Sequence, residues 1–146
     1  MPDFSLPKTG GGTWSLKDVA GRKLVIYFYP RDMTSGCTRE SQDFRDLAPA
    51  FQEAGAAIVG VSRDSLASHE KFAAKESLPF PLLADTDEKV CRLFDVIRKK
   101  SLYGRSFLGV ERSTFLLDGS GQLQQEWRKV KVPGHAEAVL EAAQRL

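Results

Sequence analysis

Cysteine and histidine are scarce in this sequence, which has two of each among 146 residues. Their spacing does not resemble a zinc site, and two cysteines are too few for a disulfide-rich scaffold. No apolar run approaches the length of a membrane span, and the sequence opens without a basic stretch followed by an apolar one. We therefore expect a cytoplasmic protein with reduced thiols and no membrane segment.

The sequence also lacks a strong excess of one charge, a long linker and an internal repeat. Its net charge is +2, with 27% charged and 42% hydrophobic residues. A nucleic-acid-binding protein usually carries a concentrated basic face, so this composition does not favour that class. A chain of this length with no linker composition is predicted to form one domain over residues 1–146.

Apolar residues follow strand periodicity and helical periodicity in turn along the chain. The predicted strands are 4–6, 14–16, 24–29, 57–61, 80–83, 114–117 and 123–132. The predicted helices begin at Cys37, at 65, after Asp87 and at 134, and we expect Pro49 to kink or divide the first of them. This order predicts an α/β, thioredoxin-like fold, in which helices flank a central mixed β-sheet and an N-terminal β-hairpin precedes it.

Cys37 occupies the position with the clearest chemical meaning, where a buried strand leads through a loop into a helix. The free N–H groups and the positive dipole end of a helix N-terminus favour the thiolate, which is the reactive form of cysteine. Thr34 stands where a Cys-x-x-Cys motif has its first cysteine, and its hydroxyl can donate to the sulfur or to a peroxide. A small buried cysteine without chemistry is the ordinary alternative, and position alone leaves both open.

Three segments resemble the peroxiredoxin superfamily, and in particular the peroxiredoxin Q or bacterioferritin comigratory protein group. Residues 29–40 read YPRDMTSGCTRE, which resembles the active-site pattern Pro-x-x-x-Thr/Ser-x-x-Cys. Residues 109–118 resemble the segment that carries the superfamily's arginine. Residues 127–136 are similar to the C-terminal part of the group, and Tyr103-Gly104 also fits it. The resemblance covers essentially the whole chain.

The resemblance implies a thiol peroxidase, and it implies a role for each residue of the motif. Cys37 would attack the peroxide and become a sulfenic acid. Arg112 would stabilise the thiolate and the charge that develops on the peroxide oxygens, and Glu40 would hold Arg112 in place. Thr34 would orient the peroxide, and Pro30 would shield the sulfur from water. No metal or organic cofactor is needed, because sulfur carries the redox chemistry.

The sequence departs from this group in its second cysteine. The two positions where the group places a resolving cysteine are Gln42 and Ala73 here. Cys91 is the other thiol, and we interpret it as a core residue, with an unconventional resolving role as the alternative. We therefore expect a one-cysteine cycle in which an external thiol, from thioredoxin or from glutaredoxin with glutathione, reduces the Cys37 sulfenate.

Two other functions stay open at this stage. A thioredoxin-like disulfide oxidoreductase would need Cys91 as its second cysteine. A redox-sensing binding protein would form a sulfenate slowly and not turn it over. His69 and His135 are predicted to be packing or capping residues, and a monomer is the expected oligomeric state.

Overall fold

A five-stranded mixed β-sheet forms the centre of the computed structural model, which describes residues 3–146. Its strands are β3 (Lys23–Phe28), β4 (Ala56–Ser62), β5 (Leu82–Ala84), β8 (Ser113–Leu117) and β9 (Leu123–Trp127). They lie in the order β5-β4-β3-β8-β9, with β3, β4 and β5 parallel and β8 and β9 antiparallel to their neighbours.

Two separate apolar cores lie on the two faces of this sheet because side chains alternate along each strand. Val25, Tyr27 and Tyr29 belong to one core, and Leu24, Ile26 and Phe28 to the other. The helices are α1 (Ser35–Glu53), α2 (Leu66–Glu76), α3 (Lys89–Leu93) and α4 (His135–Gln144). Helices α1, α2 and α4 supply residues to the first core, whereas α3 packs in the second. The predicted flanked mixed sheet is therefore confirmed.

Two hairpins lie outside the central sheet. The predicted N-terminal hairpin is confirmed as β1 (Ser5–Pro7) and β2 (Thr13–Ser15), joined through three glycines. The second hairpin, β6 (Ile97–Leu102) and β7 (Arg105–Val110), was not predicted. Most of its residues are exposed, so it has no alternation of apolar and polar residues to reveal it.

Several predicted boundaries are corrected by the structure. Helix α1 begins at Ser35, two residues before Cys37, and it runs undivided through Pro49 to Glu53. Strand β9 ends at Trp127 rather than at residue 132. Helix α3 ends at Leu93, before the predicted Phe94. The carboxylate of Asp85 accepts hydrogen bonds from two N–H groups at the start of this helix, those of Val90 at 3.1 Å and Cys91 at 2.6 Å. No helix among residues 3–146 is long and apolar enough to cross a membrane.

Gly60 in β4 leaves room for the side chains that pack over it. A Cβ atom at this position would lie 2.8 Å from Leu82 Cδ2 and 2.8 Å from Tyr27 Cζ. Both neighbours are fully buried, so neither can move aside cheaply. We expect Gly60→Ala to lower the free energy of unfolding by about 1–3 kcal/mol, measured by urea denaturation.

Gly36→Ala is the matched control for this substitution. Its added methyl group would meet only the flexible end of Arg112, at 3.2 Å from Nη2, and alanine is the better helix former. An unchanged denaturation midpoint for Gly60→Ala would show that this part of the core is not tightly packed.

Candidate active site

Cys37 is the third residue of α1, and its side chain is 1% exposed. Thr34 is the N-cap residue, and its carbonyl accepts the Thr38 N–H at 2.9 Å, which closes the first turn. The N–H groups of residues 35–37 have no acceptor within the helix, so the first turn that holds Cys37 carries positive partial charge. The predicted placement of Cys37 in the first turn of a helix is confirmed.

Arg112 is the residue that contacts the sulfur from outside α1. It lies just before β8, and the register pairs Phe28 at the end of β3 with Ser113. This pairing sets Arg112 beside the loop that enters α1. Its Nη2 donates to Cys37 Sγ at 3.4 Å, while its Nη1 donates to Glu40 Oε1 at 2.7 Å. The structure thus brings together three of the residues predicted from the sequence.

Glu40 forms a buried ion pair with Arg112, and the pair is incompletely satisfied. The residue is 1% exposed, and its second oxygen, Oε2, has no hydrogen-bond partner among the described residues. Burial raises the pKa of Glu40 to about 7, although the charge and the hydrogen bond of Arg112 oppose this shift. Glu40 therefore changes its charge near neutral pH.

Thr34 and Pro30 lie at the two ends of the loop between β3 and α1. The Thr34 hydroxyl donates to the Arg31 carbonyl at 3.0 Å, so its proton does not point to the sulfur. The hydroxyl oxygen keeps its lone pairs and can accept a hydrogen bond from an incoming peroxide. Pro30 is half-buried and lies two residues after β3 ends at Phe28. Its ring provides no N–H to compete for the sulfur.

Cys91 lies in α3 and packs in the core that contains Phe28, whereas Cys37 belongs to the core on the opposite face of the sheet. Both cysteines are free. Burial raises the pKa of the Cys91 thiol far above its usual range, and the hydrogen bond to Asp85 raises it further. Cys91 is therefore held as a neutral thiol on the far side of the sheet from Cys37.

Lys100 of β6 lies close enough to the site for its charge to interact with that of Arg112, although nothing in its sequence context singles it out. Its side chain folds across Gly109 on the neighbouring strand, where a Cβ would lie 3.1 Å from Lys100 Cδ. Partial burial lowers the pKa of Lys100, and the cationic Arg112 and Arg63 lower it further. Its signal in the sequence was weak, because it is one of several basic residues in an exposed hairpin.

The two histidines are both buried, and they have different surroundings. His135 begins α4 and its Nε2 lies 2.8 Å from Thr114 Oγ1. Burial, together with the nearby Arg112 cation, lowers the pKa of His135 to about 4, so it is a neutral packing residue. His69 instead contacts Asp32 in the loop between β3 and α1, with 2.7 Å between Nδ1 and Oδ2.

Comparisons with known proteins agree on one family. The model of the AhpC/TSA family matches residues 1–126. Peroxiredoxin Bcp of Xanthomonas campestris pv. campestris is 57% identical over 140 residues, which covers 96% of this chain and 88% of the relative. Peroxiredoxin Bcp of Bacillus subtilis is 50% identical over 145 residues, covering 99% and 90%.

A solved structure extends this likeness to the fold. It belongs to a study of alkyl peroxide reduction by the Xanthomonas campestris bacterioferritin comigratory protein, and it has a TM-score of 0.93 at 55% identity. The match covers 97% of this chain and 90% of that one. The thioredoxin-like fold and the predicted family are therefore confirmed. The chain belongs to the AhpC/TSA family as a peroxiredoxin of the Bcp group, and it is a thiol peroxidase.

Proposed function

We propose that this peroxidase uses Cys37 as its peroxide-reactive residue in a one-cysteine cycle, with an external thiol as reductant. The observation that carries the proposal is the contact of 3.4 Å between Arg112 Nη2 and Cys37 Sγ at the start of α1. A buried thiolate needs a permanent positive charge beside it, and a guanidinium cannot lose its charge.

In the first step the Cys37 thiolate attacks the nearer oxygen of the peroxide. An S–O bond forms and the O–O bond breaks, so sulfur is oxidised to a sulfenic acid and the peroxide leaves as water or an alcohol after taking up a proton. Negative charge moves from the sulfur to the leaving oxygen. Arg112 can stabilise the negative charge as it moves, because its Nη2 donor already contacts the sulfur.

Thr34 and Pro30 complete the proposed peroxide site. The Thr34 oxygen accepts a hydrogen bond from the peroxide O–H, since its own proton is used by the Arg31 carbonyl. This contact would align the O–O bond with the sulfur, which a displacement at oxygen requires. Pro30 limits the access of water. Glu40 holds Arg112 through Nη1 and leaves Nη2 for the sulfur.

The sulfenic acid is then reduced by two thiols from outside the chain. The first thiol forms a mixed disulfide with Cys37 and releases water, and the second attacks that disulfide and restores the Cys37 thiolate. The position of Cys91 on the opposite face of the sheet supports this route, as does its thiol, which burial keeps protonated. Exchange with Cys91 would require a thiolate at that residue, and the two sulfurs would have to move to bonding distance from opposite faces of the sheet.

Several narrower features belong to the same proposal. The substrates are hydrogen peroxide and organic hydroperoxides, in line with the relative studied for alkyl peroxide reduction. Thioredoxin, or glutaredoxin with glutathione, supplies the thiols, which implies a reducing compartment such as the cytoplasm. The proposed oligomeric state is a monomer, formed by one domain over residues 1–146. No metal or organic cofactor takes part.

Cys37→Ser and Cys91→Ser form a matched pair that tests the cycle. We expect Cys37→Ser to abolish peroxide consumption and Cys91→Ser to leave turnover with an external thiol unchanged. The measurement is turnover, followed by intact mass and peptide mapping after one equivalent of hydrogen peroxide with a sulfenate trap. A trapped adduct on Cys37 is expected, whereas a disulfide between Cys37 and Cys91 would contradict the one-cysteine cycle.

Gly36→Ala tests the role of Arg112 without removing it. The new Cβ would lie 3.2 Å from Arg112 Nη2, so the guanidinium must shift by a few tenths of an ångström. We expect stopped-flow measurements to show about tenfold slower sulfenate formation, because aligned donors are sensitive to small displacements. Stability should stay near that of the natural protein. An unchanged rate would mean that the position of Arg112 does not limit the first step.

Glu40→Gln tests the buried ion pair through stability. The folded pKa of Glu40 is about 7 and the ordinary value is 4.5, so the folded state binds this proton more tightly than the unfolded state does. The stability that Glu40 contributes is therefore present at acidic pH and lost as pH rises through about 7. We expect Glu40→Gln to gain up to about 3 kcal/mol relative to the natural protein between pH 5 and pH 8.

The comparison uses urea denaturation of both proteins at the two pH values, since other titrating groups cancel in the difference. A difference in stability that does not change with pH would show that Glu40 titrates as an ordinary carboxylate.

A further inference from the structure

Asp32 carries a buried hydrogen-bond network that the peroxide chemistry does not use directly. It lies in the loop between β3 and α1, and its carboxylate side chain is 2% exposed. Tyr29 Oη donates to Asp32 Oδ1 at 2.6 Å, and Ser68 Oγ donates to Oδ2 at 2.8 Å. His69 Nδ1 lies 2.7 Å from the same Oδ2. The loop is thereby joined to α2 at one residue.

His69 joins this loop to the sheet as well. It is fully buried, and its Nε2 donates to the Leu83 carbonyl of β5 at 2.9 Å. Each ring nitrogen therefore lies within hydrogen-bond distance of an oxygen, one on the loop and one on the sheet. Burial alone would raise the pKa of Asp32, but the hydrogen bonds from His69 and Tyr29 outweigh it and lower this pKa. A carboxylate and a fully bonded imidazole thus connect the loop to two other elements.

The backbone of the loop is fixed at the same place. The Asp32 N–H donates to Asp64 Oδ2 at 2.9 Å, and Ser62 Oγ donates to that oxygen at 2.5 Å. The next residue, Met33, has φ +64°, which is unfavourable for a residue other than glycine. Thr34 follows directly and caps α1. An unfavourable conformation between two fixed points persists only when the contacts around it impose it.

The network is explained by its own hydrogen bonds rather than by a metal. Asp32, Asp64 and His69 offer ligand atoms within 4.8 Å of one another. The facing oxygens and ring nitrogen of the three residues already have partners at hydrogen-bond distance. A cation would have to replace several of these bonds.

We propose that Asp32 and His69 are positioning residues, which hold the loop of residues 30–34 and the first turn of α1 in the arrangement that reacts with peroxide. In the same way they limit the access of an external thiol to the Cys37 sulfenate. The second part rests on the proposed one-cysteine cycle.

The two effects follow from the burial of Cys37. Cys37 is 1% exposed, so a small peroxide can use the closed site but a bulkier thiol cannot reach the sulfur in line. The first turn of α1 must therefore open before reduction. The Asp32 carboxylate is the contact that joins this loop to α2, and the bond between Thr38 N–H and the Thr34 carbonyl closes the turn that has to open. Weakening the network should slow oxidation and ease reduction.

Asp32→Asn is the most direct test, because asparagine keeps the shape but cannot accept all three side-chain hydrogen bonds. Two rates are measured by rapid mixing: sulfenate formation with hydrogen peroxide, and sulfenate loss with 5-thio-2-nitrobenzoate as the probe thiol. We expect the first rate to fall by about tenfold or more and the second to rise several-fold. His69→Phe should likewise slow sulfenate formation and speed sulfenate loss.

The double variant of Asp32→Asn with His69→Phe shows whether the two residues act as a unit. We expect its effects to be smaller than the product of the single effects. Phe51→Leu is the control for lost stability, since it weakens the core at the far end of α1. This control should leave the ratio of the two rates unchanged.

Hydrogen exchange of the reduced protein measures the opening without any peroxide chemistry. Asp32→Asn should speed exchange at Thr38, whereas Phe51→Leu should not do so selectively. Equal exchange in both variants, or a fall of both rates in parallel, would overturn the positioning role. If the natural protein forms no sulfenate at Cys37, the one-cysteine cycle fails, and the exchange result still decides whether Asp32 and His69 hold the turn.

Discussion

The contact between Arg112 Nη2 and Cys37 Sγ is the interaction on which the rest of this structure depends. The two residues are 75 positions apart, and the antiparallel register of β3 and β8 brings them together. A thiolate buried to 1% exposure would be too costly without a nearby cation. The pairing of β3 with β8 in the central sheet therefore matters for the chemistry as well as for the fold, because it places the Arg112 guanidinium beside the first turn of α1.

Burial of three ionisable groups in one place makes their charges interdependent. Cys37 and Glu40 both contact the single cation of Arg112, and Glu40 Oε2 has no partner among the described residues. When both are ionised, the group carries an excess negative charge in a buried place. Burial raises the pKa of Glu40 to about 7, so protonation of this carboxylate can remove the excess charge near neutral pH. Lys100, folded over Gly109, adds positive charge to the same region from the exposed hairpin.

The sequence predicted those parts of the molecule whose signal is local. The central strands and α1 follow from continuous apolar runs and helical periodicity. Glu40 and Arg112 were indicated by family resemblance, Glu40 through residues 29–40 and Arg112 through residues 109–118. The hairpin of β6 and β7 was missed because its exposed strands have no apolar face. Pro49 was expected to kink or divide α1, but the helix continues through it without a break. The packing of α1 against the sheet and α4 outweighs the loss of one hydrogen bond.

His69 shows why some functional contacts cannot be read from local patterns. On its own helix it occupies a face with apolar residues, so packing was the reasonable interpretation. Its partner Asp32 is 37 residues away, and the two meet because α2 packs in the same core as the residues that lead from β3 into this loop. Each residue alone has an ordinary environment in the sequence. Their pairing, together with the bond from the Asp32 N–H to Asp64, makes the loop before α1 a fixed element.

A peroxidase with a buried sulfur must meet two opposite requirements. Fast oxidation needs a closed and aligned site, whereas reduction by a protein thiol needs the sulfur to be reached. A resolving cysteine within the chain would meet the second requirement at high effective concentration. In this chain Gln42 and Ala73 stand at the positions where a resolving cysteine was expected from the family. In the proposed one-cysteine cycle an external thiol would depend on an open form of α1 being populated, and contacts such as that of Asp32 with His69 would then set the balance between the closed and open forms.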